Sequence, residues 1–364
     1  MPGSPDTLLV ASADWPSEAD ASAGAVLTLP IDTTGRLGPI TASVAVTGPS
    51  YLAYGPDGRH VYASCRWPAD SATPGASRKH SGEVAAIVIG PDAHLTVTGR
   101  APTAGHSPCH LTVDAAGCHV LVADYQDGLI DVHPVDRVGG VGDTCSVAVR
   151  GGSGPDARQQ SPHAHMVREH APDGRFLVAD LGTDEIAAYD LDHASGQLST
   201  VVQSTRLEPG SGPRHFVACG PDLLFVATEL RAGVVTLALD PGSASFQVRA
   251  VVSSTRHDLA APSAIVLSPD GRHLYVGNRG PDTIGVLRIE VSGLRLVDEV
   301  PCNGQPRDLT FLGDRLYVAN QESGTIAVLR YDAETGGLDG PIQVIEIPAP
   351  TCMLPYHRTE GRSE

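Results

Sequence analysis

Short apolar runs alternate with polar turns along almost the whole chain, and one order of runs recurs six times. Each recurrence has a short apolar run after a proline, a turn such as Pro-Asp-Gly-Arg, a second run such as His-Leu-Tyr-Val-Gly-Asn, and a third, alternating run. Alternation of Val, Ile, Leu and Tyr with small or polar residues is typical of half-buried β-strands, and Asp-Gly between two runs favours a hairpin. The six segments are Gly48–Trp67, Ser107–Asp136, Ser161–Asp192, Gly212–Asp240, Ala261–Glu290 and Gln305–Asp332.

The spacing of these segments indicates how the strands are arranged. Their prolines, at positions 49, 108, 162, 213, 262 and 306, lie roughly 45 to 60 residues apart, close to the period of a four-stranded propeller blade. No long amphipathic helix pattern interrupts them, which disfavours a helical solenoid or a horseshoe. The pattern therefore predicts an all-β chain folded as one seven-bladed β-propeller domain over residues 1–364.

The two ends of the chain supply the seventh blade. Thr7–Ala13 resembles a second strand and Ala25–Asp32 a third strand, but no first strand precedes them. Ala349–Pro355 resembles a first strand with nothing after it. We therefore predict that N- and C-terminal strands share one blade and close the ring, which removes exposed sheet edges.

The charge and cysteine content of the chain indicate which classes of binding partner and which cellular compartment to expect. The chain carries 42 acidic and 25 basic residues, a net charge of −17, so neither nucleic acid nor an anionic membrane surface is an expected partner. The cysteines number seven, with no Cys-x-x-Cys pair, and the first residues lack a signal-peptide pattern. These features predict reduced thiols and a cytoplasmic protein, which we expect to be a monomer or weak homodimer. A small anion could still bind if the few arginines are gathered in one place.

Polar residues recur at one structural position of the predicted blades. In a propeller, the first strand of each blade begins, and the second strand ends, at the same face of the ring. Residues at these points should encircle one mouth of the central channel and form a pocket. They are Cys65, Arg66, Cys109, His110, Asp124, Tyr125, His163, His165, Asp180, Arg214, His215, Glu229, Asn278, Arg279, Arg307, Asn320 and Gln321.

Three motifs in this order carry a family resemblance. They are Arg158-Gln159 followed by Pro162-His163-Ala164-His165, then Gly210-Ser211-Gly212-Pro213-Arg214-His215, then Asn278-Arg279-Gly280. Together they resemble the propeller-type 6-phosphogluconolactonases and the fungal carboxy-muconate lactonising enzymes, over about Leu8 to Cys352.

The resemblance implies a lactone site in the funnel at one mouth of the channel. The implied catalytic group is His165 (or His163), Arg214, Glu229 and Arg279, with no cofactor and no metal. The substrate-binding residues that we expect around it are His163, His110, Arg158, His215, Asn278, Arg307, Asn320, Gln321 and Arg66. This chain departs from the family pattern at Asp124, Asp180, Thr228 and Asp308, which would alter the polar wall of the funnel.

The residue types suit ester hydrolysis. A neutral His, with an ordinary pKa of about 6.5, can take a proton from water at neutral pH. Arginines can stabilise the developing oxyanion and can bind phosphate or carboxylate. Glu229 could orient His165 or act as the base itself. We therefore expect a lactonase for a sugar-type lactone such as 6-phospho-gluconolactone.

Other functions stay open on the sequence alone. The same arginines could bind a carboxylate in a lactonising or other cyclo-isomerising enzyme. A non-catalytic propeller could use its rim to bind protein. A calcium-dependent gluconolactonase could use Glu229, Asn278, Asn320 and Asp180 as oxygen ligands. The polar insertion Pro68–Gly82 is predicted to overhang the channel mouth.

Overall fold

The computed structural model describes residues 7–14, 24–66, 82–90, 93–240, 242–243 and 245–356. The predicted loop Pro68–Gly82 lies outside these residues, except that Gly82 begins a strand. Seven four-stranded antiparallel sheets, the blades, form the fold, as the sequence predicted. In the described part of the chain, no helix is long and apolar enough to cross a membrane.

The strands follow one another blade by blade. The first three belong to blade 7: β1 (Thr7–Ser12), β2 (Ala25–Pro30) and β3 (Ala42–Ala45). Blade 1 contains β4 (Pro49–Tyr54), β5 (His60–Arg66), β6 (Gly82–Ile89) and β7 (Leu95–Pro102). Blade 2 contains β8 (Pro108–Val113), β9 (His119–Asp124), β10 (Leu129–Pro134) and β11 (Ser146–Val149). Blade 3 contains β12 (Ala164–His170), β13 (Arg175–Asp180), β14 (Glu185–Tyr189) and, after a small hairpin of β15 (Leu191–Asp192) and β16 (Gln197–Leu198), β17 (Gln203–Arg206).

The remaining blades have the same order. Blade 4 contains β18 (Pro213–Ala218), β19 (Leu223–Thr228), β20 (Gly233–Asp240) and β21 (Ser245–Ser253). Blade 5 contains β22 (Ala261–Leu267), β23 (His273–Arg279), β24 (Thr283–Glu290) and β25 (Gly293–Pro301). Blade 6 contains β26 (Pro306–Leu312), β27 (Arg315–Asn320), β28 (Thr325–Tyr331) and β29 (Leu338–Glu346). The last strand, β30 (Pro350–Tyr356), completes blade 7.

Ring closure joins the two ends of the chain. Strand β1 pairs antiparallel with β30, with Val10 opposite Met353. The innermost strand of each blade contacts that of the next, and β30 contacts β4, so the contacts return to their start. This confirms the predicted closure by N- and C-terminal strands in one blade.

Apolar residues pack between neighbouring blades rather than within one central core. In β1, Leu9 packs with Leu52 of blade 1, whereas Val10 packs with Tyr317 and Val328 of blade 6. This alternation follows from the two-residue period of a strand, which sends successive side chains to opposite faces. Both faces of β1 are therefore buried, and truncating Leu9 to Ala should cost about 2–5 kcal/mol.

The predicted Asp-Gly-Arg turns lie at the face opposite the predicted mouth. In the first of them, Gly58 has a φ of 65°, and the Asp57 carboxylate accepts hydrogen bonds from the backbone N–H groups of Arg59 and His60. Arg59 and Arg272 are exposed. All seven cysteines lie in the described part of the chain and are unpaired, as predicted.

Candidate active site

One β-bulge in each blade shapes the channel wall. Between the first and second strands of every blade the pairing register shifts by one residue, at the same place. A bulge of this kind redirects a side chain, so two consecutive residues can face one side of the sheet. The extra residues are Ser50, Cys109, His165, Arg214, Ser263, Arg307 and Thr351, which we call the bulge ring.

A cavity on the axis shows the effect of the bulges. It is lined by consecutive pairs of residues from three blades, namely Ser50 with Tyr51, Arg214 with His215, and Arg307 with Asp308, together with Cys109 and Thr351. A regular strand would place only every second residue there. In these three blades the bulge therefore lets two consecutive side chains line the cavity.

Blade 3 departs from the alignment that its proline suggested. Ala164 is paired with Asp180, just as Pro108 is paired with Asp124 and Pro213 with Thr228. The alignment of the repeats by their prolines placed Pro162 at this position, but Pro162 lies two residues before Ala164, which occupies it. As a result, His165 occupies the position that Arg214 occupies in the next blade.

A second ring lies at the end of each second strand. The residue just after β9, Tyr125, donates its backbone N–H to the carbonyl of Ser107, and Glu229 donates in the same way to Gly212. The same position in the other blades is fixed by similar bonds or by strand pairing. The ring, which we call the upper ring, contains Ala13, Arg66, Tyr125, Leu181, Glu229, Arg279 and Gln321.

Glu229 is the centre of the site. Its Oε2 atom lies 2.9 Å from Nε of Arg214 and 2.7 Å from Nη2 of Arg279, while its Oε1 accepts a hydrogen bond from Arg158. The Glu229 and Arg214 side chains are only 4% and 2% exposed, whereas that of Arg158 is 48% exposed. Three arginines of three different segments thus converge on one buried carboxylate, with Arg158 at the solvent side.

The charges around Glu229 do not balance. Burial raises the pKa of Glu229, but the positive charges of Arg279, Arg214 and Arg158 outweigh it and lower that pKa to about 2. Burial, then the charges of Arg279 and Arg307, lower the pKa of Arg214 to about 9. Burial, then the charges of Arg66 and Arg279, lower the pKa of Arg307 to about 10. All of these groups are charged at neutral pH, so several arginines share one carboxylate and the site attracts anions.

Histidine and tyrosine rings form a cluster with one stacked contact and three edge-to-face contacts. Tyr51 stacks on His110 with ring centroids 3.9 Å apart, and His110 meets the ring of His215 at 5.5 Å. His215 in turn meets His165 at 5.3 Å, and His165 meets the ring of Tyr125 at 5.6 Å. The five rings form a continuous chain across the axis.

Burial makes these histidines neutral. It lowers the pKa of His110, His165 and His215 well below 6.5, and nearby arginine charges lower each pKa further. Nδ1 of His165 and Nε2 of His215 are buried without a hydrogen-bond partner among the described residues, as is Nη1 of Arg214. Such atoms are costly to leave unpaired, which makes them ready partners for a ligand.

Several other predicted residues lie at the rim. His163 is half-buried, stacks on Tyr125 at 4.7 Å and donates from Nδ1 to the Tyr125 carbonyl. Arg66 and Gln321 are half-buried members of the upper ring.

Tyr51 and Asp308 were not predicted as site residues, although both follow a bulge, as do His110 and His215. Burial raises the pKa of Asp308 to about 6.

Two predicted substrate-binding residues, Asn278 and Asn320, are buried at the ends of their strands and make hydrogen bonds there. Asn278 is fully buried, its amide donates to the Ser254 carbonyl and its Oδ1 accepts from the Ser254 hydroxyl. Asn320 is also fully buried and donates to Thr325 within its own blade. Each asparagine fastens a turn, as Asp180 does with the N–H groups of His163 and Gly182. The upper ring contains the residues one position further along, Leu181, Arg279 and Gln321, rather than Asp180, Asn278 and Asn320.

Comparison with known proteins assigns this chain to a family. The chain belongs to the lactonase family of seven-bladed β-propellers, which matches residues 10–355. A 6-phosphogluconolactonase of Bacillus subtilis (strain 168) is 35% identical over 289 residues, which are 76% of this chain and 81% of that protein.

Two solved structures are similar over nearly their whole length. A Bacteroides fragilis protein provisionally assigned as a 6-phosphogluconolactonase has a TM-score of 0.85 at 26% identity, covering 96% of this chain and 98% of that one. The periplasmic gluconolactonase of Pseudomonas aeruginosa has a TM-score of 0.84 at 25% identity, with the same coverage of both chains.

Proposed function

We propose that the protein is a lactonase that hydrolyses an anionic sugar lactone, with 6-phosphogluconolactone as the first substrate to test. The observation that carries the proposal is the convergence of Arg158, Arg214 and Arg279 on Glu229 in a chain whose net charge is −17. The names of the similar proteins support a lactone substrate. The surplus of arginines supports a phosphate or carboxylate on that lactone.

In the proposed reaction, water attacks the lactone carbonyl carbon while its proton passes to Nδ1 of His165. The carbonyl oxygen becomes an oxyanion, which Arg214 stabilises through its unpaired Nη1–H. The bond between the carbonyl carbon and the ring oxygen then breaks, and the ring oxygen takes the proton from His165. The product is an open-chain hydroxy acid.

Glu229 acts in this proposal by positioning the arginines. Its pKa of about 2 makes it a weak base at neutral pH, and both of its oxygens face guanidinium groups. No hydrogen bond joins it to His165 among those found in the described chain. The earlier alternatives, a base or a direct partner of His165, are therefore less favoured than a fixed counter-ion.

The positive charge of the site also helps to weigh the calcium-dependent and the lactonising functions against the proposal. A calcium ion at Glu229 would be repelled by three neighbouring arginines, and the Oδ1 of Asn278 already accepts a hydrogen bond from Ser254. A lactonising enzyme would use the same arginines for a substrate carboxylate, so the direction of the reaction must be tested. The cytoplasmic location and the monomeric or weakly dimeric state remain predictions.

The test is a direct comparison of substrates. Purified protein is incubated with 6-phosphogluconolactone, with glucono-1,5-lactone and with a carboxy-muconate, and lactone loss or muconate loss is followed against buffer. We expect acceleration of lactone loss, faster for the phosphorylated lactone. Acceleration of muconate loss alone would support the lactonising alternative, and no acceleration with any lactone would contradict the proposal.

A further inference from the structure

A second polar cluster lies at the opposite face of the ring from Glu229. Asp114 follows β8 and His119 begins β9, so both lie at the turn remote from Pro108 and Asp124, which mark the mouth. His193 comes from blade 3, in the loop of the β15–β16 hairpin. The cluster therefore spans two neighbouring blades and is unrelated to the lactone site.

The three side chains have the spacing of metal ligands. Oδ2 of Asp114 lies 3.3 Å from Nδ1 of His119 and 3.0 Å from Nδ1 of His193. One ligand atom of each residue lies within 4.8 Å of those of the other two. A tetrahedral ion with bonds of about 2.0 Å has ligand atoms about 3.3 Å apart, so the two measured oxygen–nitrogen distances fit its edges.

The carboxylate is held in place for this role. Oδ1 of Asp114 accepts the backbone N–H groups of Cys118 at 2.7 Å and His119 at 2.9 Å. Asp114 is fully buried, so its orientation is fixed by these bonds. Oδ2 is left to face the two imidazoles, as the outer contacts of a metal-binding carboxylate require.

The hairpin that carries His193 is docked on blade 2 independently of His193. The Gln197 amide donates to the Cys145 carbonyl at 2.7 Å, and the Leu198 N–H donates to the Ser146 hydroxyl at 3.1 Å. A Cβ added at Gly196 would lie 3.0 Å from Nε2 of His119, so the hairpin packs directly against that ring. His193 thus meets Asp114 without rearrangement of the backbone.

We propose that Asp114, His119 and His193 bind a divalent transition-metal ion of the zinc type that joins blades 2 and 3. Two imidazoles and one carboxylate are a ligand set that suits zinc. The His193 side chain is 47% exposed, so the fourth position is open to water. The role is structural, since the cluster lies on the face opposite Glu229.

The experiment uses the full chain without an affinity tag of histidines, freed of metal by a chelator. Titration calorimetry with Zn²⁺ should show one equivalent bound, and thermal melting should show a higher Tm with Zn²⁺. His193→Ala should weaken Zn²⁺ binding by about 10-fold or more and abolish the rise in Tm. Lactone hydrolysis should not change.

The matched control is His257→Ala. His257 is also an exposed histidine beside a buried carboxylate, with Nε2 3.9 Å from Glu299, but it has no second imidazole in that contact. It should leave Zn²⁺ affinity and the rise in Tm intact. No binding of Zn²⁺, or equal binding by the His193→Ala protein, would overturn the proposal and leave a hydrogen-bonded Asp–His cluster.

Discussion

Nη2 of Arg279, from the end of β23, lies 2.7 Å from Oε2 of Glu229, at the end of β19 in the preceding blade. The same oxygen is 2.9 Å from Nε of Arg214. One carboxylate oxygen thus holds two guanidinium groups of adjacent blades in a fixed relation. Without it, the arginines would repel one another in a buried place.

Glu229→Gln removes that counter-ion while keeping the shape of the side chain. We expect kcat for 6-phosphogluconolactone to fall about 10- to 100-fold because the arginines move, with no rise in KM because the site becomes more positive. Unfolding free energy should fall by about 3–5 kcal/mol, as for other broken buried ion pairs. Steady-state kinetics and thermal melting measure the two effects.

The matched control is Glu299→Gln. The Glu299 side chain is likewise only 4% exposed and accepts hydrogen bonds from Thr255 and Thr283. It should lose stability without losing activity. Complete loss of activity in a folded Glu229→Gln protein would show instead that Glu229 is the base.

Arg158→Ala tests the solvent-facing arginine. Arg158 contacts Glu229 and the Tyr125 hydroxyl but is about half exposed, so it can turn to a substrate anion without a large desolvation cost. We expect KM for the phosphorylated lactone to rise about 10-fold, with kcat little changed, since one charge-assisted hydrogen bond is lost. Arg175→Ala, which removes a partly exposed arginine at the other face, should change neither constant. An unchanged KM in the Arg158→Ala protein would remove this residue from the substrate site.

The rate should depend on pH through His165. Burial, followed by the charge of Arg214, lowers the pKa of His165 well below 6.5, so the imidazole stays neutral and able to accept a proton at mildly acidic pH. We expect kcat/KM to be level from pH 8 down to pH 6.5 and to fall only at lower pH, where His165 becomes protonated. The profile is measured after subtraction of uncatalysed lactone loss at each pH. A midpoint above pH 6.5 would contradict this assignment of the base.

Asp124→Asn should stabilise the fold. Asp124 is fully buried, and burial together with the charge of Asp131 raises its pKa well above the ordinary range. An acid whose pKa is raised by folding loses stability as the pH rises above about 4, its unfolded value. The asparagine does not titrate, so its advantage of about 1–3 kcal/mol should be larger at pH 8 than at pH 5 in thermal melts. An equal change in Tm at both pH values would exclude the charge of Asp124 as the cause.

The repeat architecture could be read from the sequence because each blade repeats the same strands and turns. Apolar periodicity fixes which residues face the neighbouring blade, as for Leu9 and Val10. Ring closure followed from counting strands, since six complete units left a first strand at one end and a second and third at the other. The extent of the domain, residues 1–364, remains a prediction.

Only part of the candidate site could be predicted from the sequence. Arg214, Arg279 and Glu229 do converge, because their motifs lie at the correct ends of strands. The bulges could not be predicted, since a shift of one residue leaves no composition signal, and they explain why Tyr51 was missed. The hydrogen bonds of Asn278 and Asn320 could not be predicted, because a polar strand end can face either the channel or its own turn. Their role in substrate binding stays a prediction.

The most direct test of the site is a measurement of kcat/KM in two variants. Arg214→Ala breaks the ion pair between Arg214 and Glu229, and Arg150→Ala is its control. The Arg214 and Arg150 side chains are only 2% and 9% exposed, and each lies beside a carboxylate, Glu229 or Glu185. Arg150 follows β11 at the end of blade 2 and makes no ion pair with Glu229 among the described residues. Loss of an oxyanion donor typically costs about 3 kcal/mol. We therefore predict that Arg214→Ala lowers kcat/KM for 6-phosphogluconolactone by at least about 100-fold, while Arg150→Ala leaves it within about threefold of the parent. Equal values for the two folded variants would contradict an active site at this mouth of the channel.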